Sequence, residues 1–306
     1  MQKADMAQKT VKIRSLLPIV KKELEERGEE PKLPIGSLPD FNRKIWGLKV
    51  GLTTIGARTS QGKSSIALQF AHDLAEKGNE VLFLSLEMTV ENMIERLFCN
   101  IKMVDNTKLQ QGYFSKDTDI QLKWLAFEEE ISKIPLLITC GIGQTFQEVV
   151  DLFSLLNPKP KAIFIDYIQG AKLGLNEREM LNEYIRYFRE LCLKNNIAGV
   201  ICSQVNRKVN EETKEPSMDC LKGTGGLEET SDVVILLHWE NFYTHAEDNF
   251  NKFKIMVAKN RNGTTGNHYV YYEPKYYKFV DTWIEKDVKE VVYKQEKEYP
   301  EAWQDK

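Results

Sequence analysis

From about residue 50 the chain alternates short β-branched runs with amphipathic stretches of helical period, and this alternation restricts the fold more than any other feature. The candidate strands are Leu52–Ile55, Val81–Ser85, Leu136–Thr139, Ala162–Asp166, Ala198–Ser203 and Val233–His238. Helical patterns lie between the first five, among them Ser64–Lys77, Phe146–Leu156 and Met180–Asn195. Strand-helix-strand alternation implies an α/β fold with a mostly parallel sheet and helices on both faces. After Asp232 the pattern changes to strands without long helices, at Lys254–Ala258, Tyr269–Tyr272 and Lys278–Val280. These predict an antiparallel extension of the sheet, with NRNGTTGN as a turn.

Upstream, residues 5–28 place Val11, Ile13, Leu16, Leu17, Ile19, Val20 and Leu24 at helical spacing among many Lys and Glu. Gly28 and Pro31 stop that pattern. A helix of this size cannot bury its apolar stripe alone, so it packs either on its own core or on a neighbouring subunit. The expected organisation is a helical arm and linker over 1–34, one domain over 35–284, and a charged tail over 285–306.

Composition narrows the class. Among 306 residues, 42 Lys+Arg stand against 45 Asp+Glu, a net charge of −3 that excludes a uniformly basic nucleic-acid coat but not a local basic lining. No apolar stretch approaches the roughly 18 residues a bilayer-spanning helix needs. The N-terminus lacks the apolar core of a secretory signal. Cys99, Cys140, Cys192, Cys202 and Cys220 are far apart and form no CxxC pair, which fits reduced cytoplasmic residues and not a disulfide or zinc framework.

The strongest local signal is Ala57-Arg58-Thr59-Ser60-Gln61-Gly62-Lys63-Ser64, directly after a strand and directly before a helix. A phosphate-binding loop requires that context. Loop amides and the helix N-terminus direct partial positive charge at phosphate oxygens. Lys63 would reach the β/γ phosphates and Ser64 would supply a hydroxyl to Mg²⁺. Ala57 stands where the usual motif has its first glycine. The ordinary alternative is a strand-loop-helix connection with a surface lysine.

Three further strand ends carry polar groups to the same sheet edge, where open α/β sheets bind ligands. Ala162–Asp166 ends in a carboxylate able to hold the metal, usually through water. Ser85-Leu86-Glu87-Met88 offers a glutamate that can reach the water attacking a γ-phosphate. Ser203-Gln204 offers an amide able to sense that phosphate from a neighbouring strand.

These residues resemble the DnaB-type replicative helicases. ARTSQGKS is similar to their ARPxMGKT loop, which also begins with alanine, and SLEM at Ser85–Met88 matches their SLEM. IDYIQ at Ile165–Gln169 resembles IDYLQ, and SQVNR at Ser203–Arg207 resembles SQLNR. PSMDCLKGTGGLEETSDVV and VAKNRNGTTG resemble PxLSDLRESGSIEQDADVV and IAKQRNGPTG. The likeness covers about residues 35–282. It implies a RecA-like P-loop NTPase core in a homo-oligomeric ring, expected to be a hexamer, with ATP and Mg²⁺ bound between subunits.

The resemblance implies roles residue by residue. The loop Ala57, Arg58, Ser60, Gln61, Gly62, Lys63, Ser64 and Ser65 would bind nucleotide. Glu87 falls on the catalytic glutamate, Asp166 on the magnesium aspartate and Gln204 on the γ-phosphate glutamine. Lys259 and Arg261 fall on a pair that reaches the ATP of the adjacent subunit, where a guanidinium neutralises charge developing on the phosphoryl oxygens. Read without the family, Lys259-Asn260-Arg261 is a basic hairpin turn. Lys222, Gly223 and Gly225 occupy the family's DNA loop, whose backbone amides can grip phosphates of a single strand without reading sequence. Lys172 to Arg178 is a candidate second loop facing the channel.

The family's N-terminal primase-binding domain has no counterpart in residues 1–34, so primase binding is not expected, while a helicase loader is a candidate partner. Three readings remain open: a ring helicase moving on single-stranded DNA, a RecA/RadA- or KaiC-like ATPase, and an ATP-binding adaptor that acts on DNA or a helicase without unwinding.

Overall fold

A computed structural model of the protein describes residues 12–25, 28, 31–142, 146–166, 168, 177–205, 215–224, 226–240, 242 and 251–281. The chain divides into two units between Lys32 and Leu33. The first contains α1, Ile13–Glu25, inside the expected helical span. Pro18 stands within α1, where its missing N–H removes one i→i−4 bond, and the apolar pattern gave no sign of that interruption. The side chains of Ile13, Leu16, Leu17, Ile19, Val20 and Leu24 are exposed.

The second unit opens with α2 (Pro39–Ile45) and β1 (Gly51–Ala57), followed by α3 (Lys63–Glu76), β2 (Val81–Ser85) and α4 (Val90–Lys102). The chain continues through α5 (Asn106–Gln110), α6 (Thr118–Ile131), β3 (Leu136–Cys140), α7 (Phe146–Leu155) and β4 (Ala162–Asp166). Next come α8 (Glu177–Asn195), β5 (Ala198–Gln204), α9 (Leu227–Thr230) and β6 (Val233–His238). Strands β7 (Lys252–Asn260), β8 (Gly266–Glu273) and β9 (Lys278–Asp281) close the described chain.

The nine strands of the described residues join one sheet in the order β3-β2-β4-β5-β1-β6-β7-β8-β9. The first six in that order are parallel, and β7 to β9 extend the sheet antiparallel. Successive residues pack on opposite faces. Ile55 and Phe164 join α3 residues Ile66, Phe70 and Leu74 on one side. Leu52, Ile163 and Ile165 join α8 residues Ile185, Phe188 and Cys192 on the other. Burial on both faces explains why these strands read as unbroken apolar runs.

All five cysteines are free. Among the described residues no helix is long and apolar enough to cross a membrane. The consequence for function is directional: β2, β4, β5 and β1 are adjacent and parallel, so their C-terminal ends open on one edge.

Candidate nucleotide site

The loop after β1 is built for an anion. Ser60 and Gly62 both take the left-handed conformation, with φ of 65° and 69°. Alternation of that kind turns successive amides toward one concavity. A Cβ on Gly62 would stand 2.7 Å from the Phe279 ring, so close packing as well as φ demands glycine there. Helix α3 starts at the next residue, Lys63.

Arg58, Ser60, Gly62, Lys63, Ser64 and Ser65 line a cavity of about 500 Å³ together with Glu87 and Gln204. Strand register accounts for the meeting: Ala57 pairs with Gln204, and Ser85 pairs with Asp166. The Ser85 hydroxyl accepts from the amides of Met88 (2.7 Å) and Glu87 (3.3 Å), which bends the chain immediately after β2. Glu87 is consequently exposed at the strand end. Ala57 and Gln61 are buried and do not line the cavity.

Asp166 lies deeper, 1% exposed, and takes a 2.7 Å hydrogen bond from Lys63 Nζ. Burial disfavours the Lys63 ammonium, but the Asp166 carboxylate that it bonds, together with the charge of Glu87, outweighs burial and holds the pKa above the usual lysine value. Burial, reinforced by Asp166, pushes the neighbouring Cys202 thiol well above its ordinary range. Asp166 Oδ2 is buried with no hydrogen-bond partner among the described residues. An orphaned carboxylate oxygen beside the loop that carries the Ser64 hydroxyl fits a hydrated Mg²⁺, with Ser64 and Asp166 as the residues that would hold it.

Thr59 and Met88, within the two motifs given above, complete the cavity wall together with Arg96, Tyr272 and Tyr277, which no sequence motif marks. Arg96 of α4 sits over the Tyr277 ring at 4.9 Å, while Tyr272 stacks on Phe279 at 4.3 Å. The one available signal was the doubled tyrosine on either side of the Glu273-Pro274-Lys275 turn.

A buried polar network holds that turn against the loop helix. Gln69 of α3 donates to the Phe279 carbonyl (2.8 Å) and accepts from the Phe279 amide (2.9 Å). Asn100 of α4 donates to Gln69 (3.0 Å) and to the Tyr277 carbonyl (2.8 Å). Gln69 also donates to Ser37 Oγ (2.7 Å), which itself donates to Asp73.

Burial pushes the Asp73 carboxyl up to about 6 although the Ser37 hydroxyl and amide stabilise its anion. A carboxyl with a raised folded pKa binds more protons folded than unfolded, so stability falls as pH rises from about 4 to 6 and then levels. Asp73→Asn keeps an acceptor for Ser37 and removes this titration. The variant is expected to gain about 2 kcal/mol relative to the native chain between about pH 4.5 and 7. Urea midpoints across that range check this, and parallel profiles for the two proteins would contradict it.

Lys259 and Arg261 lie at the other edge of the sheet. Asn260 pairs with Val233, which is level with Thr53 near the start of β1, whereas the phosphate loop follows the end of β1. The Arg261 amide donates to the Asp232 carbonyl (2.9 Å), and the Asp232 amide donates to the Leu52 carbonyl (2.8 Å). From Leu52 to Ala57 the strand alone spans roughly 16 Å. Neither basic side chain lines the cavity of its own copy.

Lys222 and Gly223 belong to a short helix over Met218–Thr224. Its Cys220 and Leu221 pack with Val205, Val234, Leu236 and Met256. Gly225 lies outside the described residues, as does 172–176 of the expected second channel loop, while Glu177 and Arg178 open α8.

The family described as "DnaB-like helicase C terminal domain" matches residues 35–281. The chain belongs to that family. A "Probable plasmid replicative DNA helicase" of Chlamydia psittaci is 31% identical over 249 residues, covering 76% of this chain and 52% of the relative. "Replicative DNA helicase DnaB" of Geobacillus stearothermophilus is 26% identical over 266 residues, covering 83% and 57% respectively. The chain thus spans about half the length of the curated relatives it matches. Among solved structures, one described as "The Structure Of A DnaB-Like Replicative Helicase And Its Interactions With Primase" superposes with a TM-score of 0.79 at 22% identity, covering 92% of this chain and 71% of that one. That likeness concerns the fold, which it shares with this DnaB-like domain.

Proposed function

We propose that this chain is the motor of a ring-forming, DnaB-type DNA helicase that hydrolyses ATP where two copies meet and moves along single-stranded DNA. One observation carries the proposal. The loop, Glu87 and Gln204 gather at one sheet edge, while Lys259 and Arg261 stand at the opposite edge, too far away to serve the same nucleotide. A complete site therefore calls for the basic turn of a second copy, and repetition of that head-to-tail contact closes a ring, which we take to be hexameric.

Within such a site Ser60, Gly62 and the start of α3 would cradle the triphosphate. Lys63 would exchange its bond to Asp166 for phosphate oxygens, leaving Asp166 and Ser64 to hold Mg²⁺, which neutralises phosphate charge when bound. Glu87 would orient the attacking water, and Gln204 would contact the γ-phosphate. The Arg96 and Tyr277 wall offers a guanidinium and a ring face suited to a planar base. Lys259 and Arg261 of the neighbour would stabilise the transition state. The exposed apolar face of α1 supports its docking on an adjacent copy.

Lys222, Gly223 and Gly225 would hold the strand by phosphate contacts repeated around the ring. Affinity for a single strand is then expected to fall on the order of a hundredfold or more between about 50 and 200 mM salt. A nearly flat salt dependence would refute the grip. The deciding experiment is strand displacement on a forked substrate, with particle size measured with and without a non-hydrolysable ATP analogue. ATP-dependent displacement by a ring supports the proposal. Turnover without displacement would leave an ATPase or adaptor in its place.

A further inference from the structure

Arg261 does not reach into solvent alone. The carboxylate of Asp232 takes two bonds from Arg189, at 3.0 Å from Nε to Oδ2 and 2.8 Å from Nη2 to Oδ1. Its Oδ2 also accepts from the Leu52 amide at 2.9 Å, and its Oδ1 accepts from Arg261 Nη1 at 3.1 Å. The two basic side chains also reach α9: Arg261 Nη2 donates to the Glu229 carbonyl (2.9 Å), and Lys259 Nζ donates to the Glu228 carbonyl (2.6 Å) and the Glu229 carbonyl (3.3 Å).

The two arginines are held unequally. Arg189 engages the carboxylate with both prongs of its fork, the geometry that fixes orientation as well as distance, and is 25% exposed. Arg261 touches the same carboxylate through one nitrogen and is 42% exposed. Its backbone is nevertheless tied to Asp232, since the Arg261 N–H donates a hydrogen bond to the Asp232 carbonyl. A guanidinium has five N–H donors, so two bonds within its own subunit leave others free for an external anion.

We infer that Asp232, locked by Arg189 and the Leu52 amide, is the positioning residue that presents Arg261 to the nucleotide of the neighbouring copy. The inference rests on the proposed shared site. The expected consequence is kinetic. A loose arginine must be ordered anew in each transition state, whereas one held near its working place need not be. Asp232 belongs to the half of the interface that donates Arg261, and it lines no part of its own copy's nucleotide cavity.

The test is a double-mutant cycle on ATP turnover. Asp232→Asn is expected to lower kcat about tenfold with KM for ATP within about twofold. Arg261→Ala should cost far more, and the double variant should be no slower than Arg261→Ala alone. Multiplying losses would overturn the inference, because Asp232 would then act independently of Arg261. Should Asp232→Asn fail to fold, Arg189→Lys, which keeps the charge but loses the fork, enters the same cycle with the same expectation.

Mixed oligomers separate this inference from the reading beneath it. Asp232→Asn subunits should restore turnover when mixed with Lys63→Ala subunits, but not when mixed with Arg261→Ala subunits. If Arg261→Ala also fails to restore Lys63→Ala, the shared site itself is wrong. If that pair recovers while Asp232→Asn leaves kcat unchanged, only the positioning role is wrong.

Discussion

Arg261→Ala is expected to lower the rate of ATP hydrolysis by about 10³-fold or more while leaving nucleotide affinity within about twofold. The size of the loss follows from what a guanidinium does at a transferring phosphoryl group: it meets charge that spreads over the equatorial oxygens only in the transition state. The preserved affinity follows from topology, because Arg261 lies beyond the start of β1 and lines no part of its own copy's cavity. Folding should hardly change. The ion pair with Asp232 is 42% exposed on the arginine side, and pairs that solvent screens contribute less than about 1 kcal/mol. Steady-state turnover beside equilibrium binding of a fluorescent nucleotide measures both quantities. Unchanged turnover in an assembled sample would refute a trans-acting arginine, and a matching collapse of affinity would place Arg261 in the binding pocket of its own subunit.

The parallel sheet is readable because its central strands are buried on both faces and so carry unbroken apolar runs, as in Ala162–Asp166. The phosphate loop was equally plain, since its residues are contiguous. What the sequence hid is the company assembled from distant segments. Arg96, Tyr272 and Tyr277 reach the cavity from α4, β8 and the turn before β9, and no spacing rule connects them. Arg189 and Asp232 meet across 43 residues because α8 packs over β1, and charged residues on a helix ordinarily read as a solvated face. Gln69 and Asn100 have no motif at all. Their importance lies in satisfying the backbone of Tyr277 and Phe279, a requirement visible only once those groups are buried. Order along the sheet was hidden for the same reason, as register between β1, β5 and β6 is fixed by contacts remote in the chain.

Lys63→Ala should damage the protein twice, and the two effects can be separated. The ammonium is 7% exposed and its partner Asp166 is 1% exposed, so deleting the cation strands a buried carboxylate. Loss of one member of such a pair costs about 3–5 kcal/mol, whereas replacing both members is close to neutral. Adding Asp166→Asn to Lys63→Ala is therefore expected to recover most of the lost stability in urea unfolding. Nucleotide affinity should behave differently. A charge-assisted bond to phosphate is worth about 1.5–3 kcal/mol, so binding should fall roughly 10- to 100-fold in Lys63→Ala and remain low in the double variant. Recovery of stability without recovery of binding would identify Lys63 as a group that leaves Asp166 for the triphosphate. If the single variant proves as stable as the native chain, the buried pair does not persist in solution. If it binds nucleotide normally, the loop after β1 does not use Lys63 on phosphate, and the proposed motor loses the residue on which its nucleotide site depends.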